Sequence, residues 1–101
     1  MATSNPLQGH PDGKELRQKA GAWLKQLREA VPLTQQELSK AVGLDYYTTI
    51  SQIERGIARL PPERQLLFAQ ALQQEPKVFV MRLLMYYDPY TWEILNQPDA
   101  K

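Results

Sequence analysis

The sequence predicts an all-α fold of five or six helices, and three observations carry that expectation. Apolar residues recur at steps of three and four, as in Leu16, Ala20, Trp23, Leu24 and Leu27. Residue types that start helices stand before such runs: Asp12, Thr34, Asp45, Pro61-Pro62, Pro76 and Asp88-Pro89. No segment alternates polar and apolar residues for long enough to form a strand. At 101 residues the chain suits one compact domain with its own core.

Residues 1–11 (MATSNPLQGHP) are small, polar and broken by proline, so 1–12 reads as a flexible leader. Asp12 with Glu15 three residues on makes a capping-box start, and the first helix runs to Ala30, ahead of Pro32. Gly21 costs such a helix about 1 kcal/mol against alanine, so the helix could effectively begin there. Thr34 with Glu37 caps a second helix, Gln35–Val42, which Gly43 stops. Asp45 is expected to cap a third, from Tyr46 to about Arg55, stopped by Gly56. Pro61-Pro62 and Glu63 open a fourth, to Gln73 or Gln74; Pro76 opens a fifth, Lys77–Tyr87. Asp88-Pro89 opens a short sixth to about Leu95, and residues 97–101 read as a frayed tail. The expected organisation is a domain over 13–75 and C-terminal helices over 76–96.

Composition narrows the function classes. The chain has no cysteine, which excludes disulfides and thiolate metal sites. Its one histidine, His10, lies in the leader, so no imidazole cluster is available, and neither a metal nor a cofactor is expected. Paired carboxylates, a Ser/His set and a phosphate-cradling glycine loop are all missing from plausible positions, so an enzyme is not expected. Met1–Gly13 lacks the basic start and apolar run of a signal peptide, and Val78–Tyr87 is too short to span a bilayer. A soluble, cytoplasmic protein is the expectation. Net charge is only +1, but residues 14–64 hold nine basic against six acidic side chains, a weak bias toward a polyanion partner.

The third helix divides into two faces. At about 100° per residue, Tyr46, Ile50, Ile53 and Ile57 fall on one side, able to pack on Leu38, Val42 and Leu44. Thr48, Ser51, Gln52 and Arg55 lie opposite, with Tyr47 on the flank. Any surface helix shows polar residues outward, but two short helices joined by a glycine turn are also a unit for reading DNA. Glutamine can pair with adenine there, and Ser or Thr with either kind of base edge. Lys14, Arg17, Lys19 and Lys25 read as solvated surface. Glu54 reads as a structural hydrogen-bond partner, Tyr46 as core, and Tyr47 as either a groove contact or packing.

The run LTQQELSKAVGL…ISQIERG resembles the helix-turn-helix of the phage-repressor-like (Cro/C1, XRE) family in spacing as well as composition. The matching residues are Leu33-Thr34-Gln35, Glu37-Leu38, Val42-Gly43-Leu44, Ile50-Ser51 and Ile53-Glu54-Arg55-Gly56, and the similarity spans about residues 20–75. It implies a lambda-repressor-like domain with an extra C-terminal helix. The implied function is sequence-specific binding of double-stranded DNA in the major groove by a prokaryotic or phage transcriptional regulator, a repressor ahead of an activator. Aligned on Ile50, it implies Tyr47, Thr48, Ser51 and Gln52 as base-facing. It implies Gln35 as a phosphate contact or a brace for the third helix, and Arg55 and Arg59 as backbone contacts. One departure stands out: Gly43 to Ile50 is seven steps where the family has six, so either the turn is longer or the helix starts early.

In VFVMRLLMYYDPYTW, apolar residues occupy more than one helical face. One face can close the core against Phe68 and Leu72, and the surplus calls for a cover, either the last helix folding back or a second subunit. A homodimer through residues 76–95 is expected, with Phe79, Leu83, Met85, Tyr86, Tyr90 and Trp92 at its interface. An antitoxin, or an adaptor that binds protein through the same fold, is the competing function, with a toxin or RNA polymerase as the protein partner. A nucleoid-associated protein is the expected localisation.

Overall fold

The computed structural model describes residues 12–98; the leader residues 1–11, His10 among them, and tail residues 99–101 lie outside that range. Among the described residues there are six helices and no strand: α1 (Gly13–Ala30), α2 (Gln35–Ala41), α3 (Thr48–Glu54), α4 (Pro62–Ala71), α5 (Pro76–Tyr87) and α6 (Pro89–Leu95). Three of the six starts carry a side-chain cap. Asp12 Oδ1 accepts the Glu15 N–H at 2.9 Å, and Glu75 Oε1 accepts that of Val78 at 2.9 Å. Thr34 and Glu37 form a full capping box: Glu37 N–H donates to Thr34 Oγ1 at 3.0 Å and Thr34 N–H to Glu37 Oε1 at 2.8 Å.

The core is one cluster to which five helices contribute, built from Leu24, Leu38, Val42, Ile50, Ile53, Leu60, Phe68, Ala69, Leu72, Phe79 and Leu83. Phe79 and Leu83 are 1% exposed, so two residues expected at a subunit interface are instead interior. They lie there because α5 packs between α1 and α4, opposite Phe68 and Leu72. The helices placed after residue 75 therefore do not form a separate layer: α5 completes the core of the domain. Burying one such side chain stabilises the fold by roughly 1.5–3 kcal/mol. On its outer side α5 is met by α6, which folds back along it; α6 itself has no fully buried residue.

One expectation about glycine changes, and another holds for an added reason. α1 runs unbroken through Gly21, whose role lies in packing: a Cβ there would sit 2.6 Å from the Ile53 carbonyl oxygen and closer still to that of Glu54. Gly56 ends α3 at φ +78°, and a Cβ on it would lie 2.7 Å from Gln18 Cα on α1. The end of α3 thus rests directly on the backbone of α1.

Helix α3 is shorter than its periodicity suggests. Gly43, at φ +73°, turns the chain out of α2. Ser39 then holds Leu44 by two hydrogen bonds, Ser39 Oγ–H to Leu44 O and Leu44 N–H to Ser39 O, each 2.9 Å. From that anchor Asp45 and Tyr46 are non-helical and α3 begins at Thr48, so the seventh step lengthens the turn. Three expectations are corrected as a result. Asp45 does not cap α3, because the capping position falls on Tyr47, which makes no side-chain cap. Tyr46 is 73% exposed rather than core. Ile57 is 59% exposed, because the chain has left the helix at Gly56 and the helical period no longer applies to it.

Candidate nucleic-acid interface

The outward face of α3 carries Thr48, Gln52 and Arg55, all exposed, with Ser51 half-buried and Tyr47 exposed just before the helix. The inward face carries Ile50 and Ile53, each 1% exposed, and Glu54. This division matches the periodicity reading at Ile50, Ile53, Thr48, Gln52 and Arg55 but not at Tyr46 and Ile57. Tyr47, Thr48, Ser51 and Gln52 fall within one short stretch at and before α3.

That face is held from behind by a buried ion pair. Arg28, on α1, donates from Nε to Glu54 Oε2 at 2.6 Å and from Nη2 to Oε1 at 3.1 Å, a two-pronged contact between groups 26 residues apart. Its Nη1 donates to the Leu33 carbonyl at 2.8 Å, and Gln35 Nε2 donates to Glu54 Oε1 at 3.0 Å. One carboxylate thereby ties the end of α1, the link to α2, the start of α2 and the end of α3. Hydrogen bonding to the Glu54 carboxylate holds the Arg28 guanidinium above its already high pKa, against the opposing effect of burial. Glu54 is the structural partner that its position suggested. Of the two roles open to Gln35, its amide takes the bracing one.

The α2 end is fixed by Arg64, whose Nη1 donates to the Val42 carbonyl at 2.8 Å, meeting one of the carbonyls left open at a helix C-terminus. Arg28, Ser39 and Arg64 were not singled out from sequence. A signal for Arg28 existed: it continues the four-residue stripe Leu16, Ala20, Leu24 and so falls on the inner face of α1. Arg64 left no comparable mark.

Arg59 stands apart from the α3 face. Its Nη2 donates to Asp88 Oδ2 at 2.8 Å and its guanidinium lies 4.8 Å from the Tyr87 ring centroid, so it is engaged by the junction of α5 and α6. The Tyr87 hydroxyl in turn accepts the Leu60 N–H at 3.0 Å. Burial pushes the Tyr87 phenol above its ordinary value of 10.0, only partly offset by that hydrogen bond and by Arg59 and Arg17. A raised folded-state value means that this contribution to stability is complete below about pH 10 and is lost as pH rises through the folded value. Alkaline denaturation should therefore show a shallower loss of stability above pH 10 in Tyr87→Phe than in the parent chain. Equal slopes would contradict it.

Between α2 and the turn lies an open cleft of about 630 Å³, lined by Gln36, Lys40, Asp45, Tyr46 and Tyr47 among others. Among the described residues, no group of three or more His, Asp or Glu side chains is placed to hold a metal ion, and no helix is long and apolar enough to cross a membrane.

A short helix, a left-handed glycine turn and a second short helix with a polar outer face, braced from behind by α1, define a helix-turn-helix DNA-binding module. A family model described as helix-turn-helix matches residues 24–79, more than half of the chain. The chain belongs to that family of phage-repressor-like (XRE/Cro–C1) regulators, with the lambda-repressor-like all-α fold, and binds double-stranded DNA sequence-specifically. A search of curated proteins gave no match.

Proposed function

We propose that the chain is a transcriptional repressor that reads its operator in the major groove with α3. Tyr47, Thr48, Ser51 and Gln52 face the bases and Arg55 contacts the backbone. The observation that carries the reading is the outer face of α3, polar and exposed while the opposite face is locked to α1 through Glu54. Repression needs only occupancy of the site, whereas activation needs a further contact with RNA polymerase.

Gln52→Ala should weaken binding to a site selected from a random DNA pool by roughly 1–3 kcal/mol while sparing non-specific binding. Arg55→Ala should weaken both and reduce the salt slope by about one contact. Retention of DNA unchanged in both variants would remove α3 from the interface.

The reading extends to a homodimer through α5 and α6. Val78, Met81, Tyr90, Ile94 and Leu95 are exposed there, beside the half-buried Met85, Tyr86 and Trp92. Two-fold pairing would set two recognition helices about one DNA turn apart. Sedimentation should give a concentration-dependent mass that Ile94→Asp lowers to the monomer value; a concentration-independent monomer mass would refute the dimer. The same apolar surface is what an antitoxin would offer a toxin, and recovery of the chain with a small toxin instead of a second copy would favour that reading. In this reading the protein acts in the cytoplasm, with the nucleoid.

A further inference from the structure

We infer that Tyr46 is a further specificity-determining residue, packing its ring against a thymine methyl group at the end of the site read by the start of α3. The inference rests on the DNA-reading role of α3 and adds to it a residue supplied by the lengthened turn. Leu44 is pinned by Ser39, and Ile50 is pinned in the core, so the surplus residue must be taken up between them. It is taken up before α3, with Asp45 and Tyr46 non-helical and Tyr46 turned out to 73% exposure.

The position of Tyr46 is what gives that exposure meaning. The residues at the start of a recognition helix are those that approach base edges, and Tyr46 and Tyr47 stand side by side immediately before Thr48. Local charge selects the kind of contact. Among the described residues, the cleft that the two tyrosines line holds one cation, Lys40, against two carboxylates, Glu37 and Asp45. A phosphate would be repelled there more than attracted. An uncharged ring is indifferent to that field, and its apolar face suits the thymine 5-methyl, the one apolar group that bases present in the major groove.

The test uses the site that the parent chain selects from a random DNA pool, with each thymine replaced in turn by deoxyuracil, which removes only the methyl group. In the parent chain one position outside the bases read by Gln52 should lose about fourfold in affinity, the effect expected for one unburied methyl. Tyr46→Ala should lower affinity for the thymine site and abolish the difference between thymine and deoxyuracil at that position alone. Tyr46→Phe should keep it. Gln52→Ala should keep it too, while changing preference elsewhere in the site. If Tyr46→Ala retains the full deoxyuracil profile of the parent chain, the inference fails while the DNA reading of α3 stands. If the parent chain selects no site at all, the reading of α3 fails and the inference with it. A loss in Tyr46→Ala that is uniform across all DNA would mean a backbone contact and would equally overturn it.

Discussion

Replacing Glu54 by alanine is expected to cost about 3–5 kcal/mol of folding stability, the loss associated with removing one partner of a buried ion pair. For a domain of this size that is a large share of the whole, since total stabilities are commonly about 5–15 kcal/mol. The size follows from what remains. Arg28 has a side chain only 9% exposed, and without Glu54 it would be left charged with its Nε and Nη2 donors unmet. Gln35 would lose its acceptor in the same step. Urea denaturation measures the effect, and a loss under about 1 kcal/mol would mean that the pair behaves as a surface ion pair screened by water. Glu54→Gln separates charge from geometry, because the amide keeps one acceptor for Arg28 but not the carboxylate. It should fall between the parent and Glu54→Ala. Replacing both partners by apolar residues should recover much of the loss, since a buried pair exchanged for good packing is often near neutral. In that double variant α3 would lose the tie to Gln35, so DNA affinity should recover less than stability.

Gly21→Ala should destabilise the fold, in the direction opposite to helix propensity. Propensity alone favours alanine by about 1 kcal/mol in a helix interior. The new methyl, however, would overlap the carbonyl ends of Ile53 and Glu54, and these are backbone atoms that cannot rotate aside. Relief requires α3 to move off α1, and overpacking of this kind costs about 1–3 kcal/mol or more. That movement would also strain the Arg28–Glu54 contact, so the variant should lose DNA affinity without touching any residue of the reading face. Gly56→Ala should be at least as damaging, because it adds a left-handed backbone angle to a clash with Gln18. Thermal denaturation with binding to the selected site checks both. A Gly21→Ala variant more stable than the parent would show that α1 and α3 are further apart than the structure places them.

These two variants mark where sequence reasoning about this protein reached and where it stopped. The helix order, the Thr34–Glu37 capping box and the outer face of α3 were legible because they depend on residues within a few positions of one another. Thr34 and Glu37 are three apart, Gly43 acts on its own turn, and Ile50 with Ile53 fixes which side of α3 looks inward. The resemblance of residues 33–56 to a helix-turn-helix pattern implied DNA binding, again through short spacings, and the family match over residues 24–79 agrees with it. Tyr46 and Ile57 were misplaced because a helical period was carried past the points where the chain stops being helical. Phe79 and Leu83 were assigned outward because their apolar character says that they need cover but not which surface provides it. Gly21 looked like a flaw, and Arg28 drew no reading of its own, until α3 lay across them. What the sequence by itself determined is therefore the local units and the polar character of the outer face of α3. Only the tertiary structure decided how that face is held, because pairing Arg28 with Glu54, 26 positions apart, depends on the path of the chain between them.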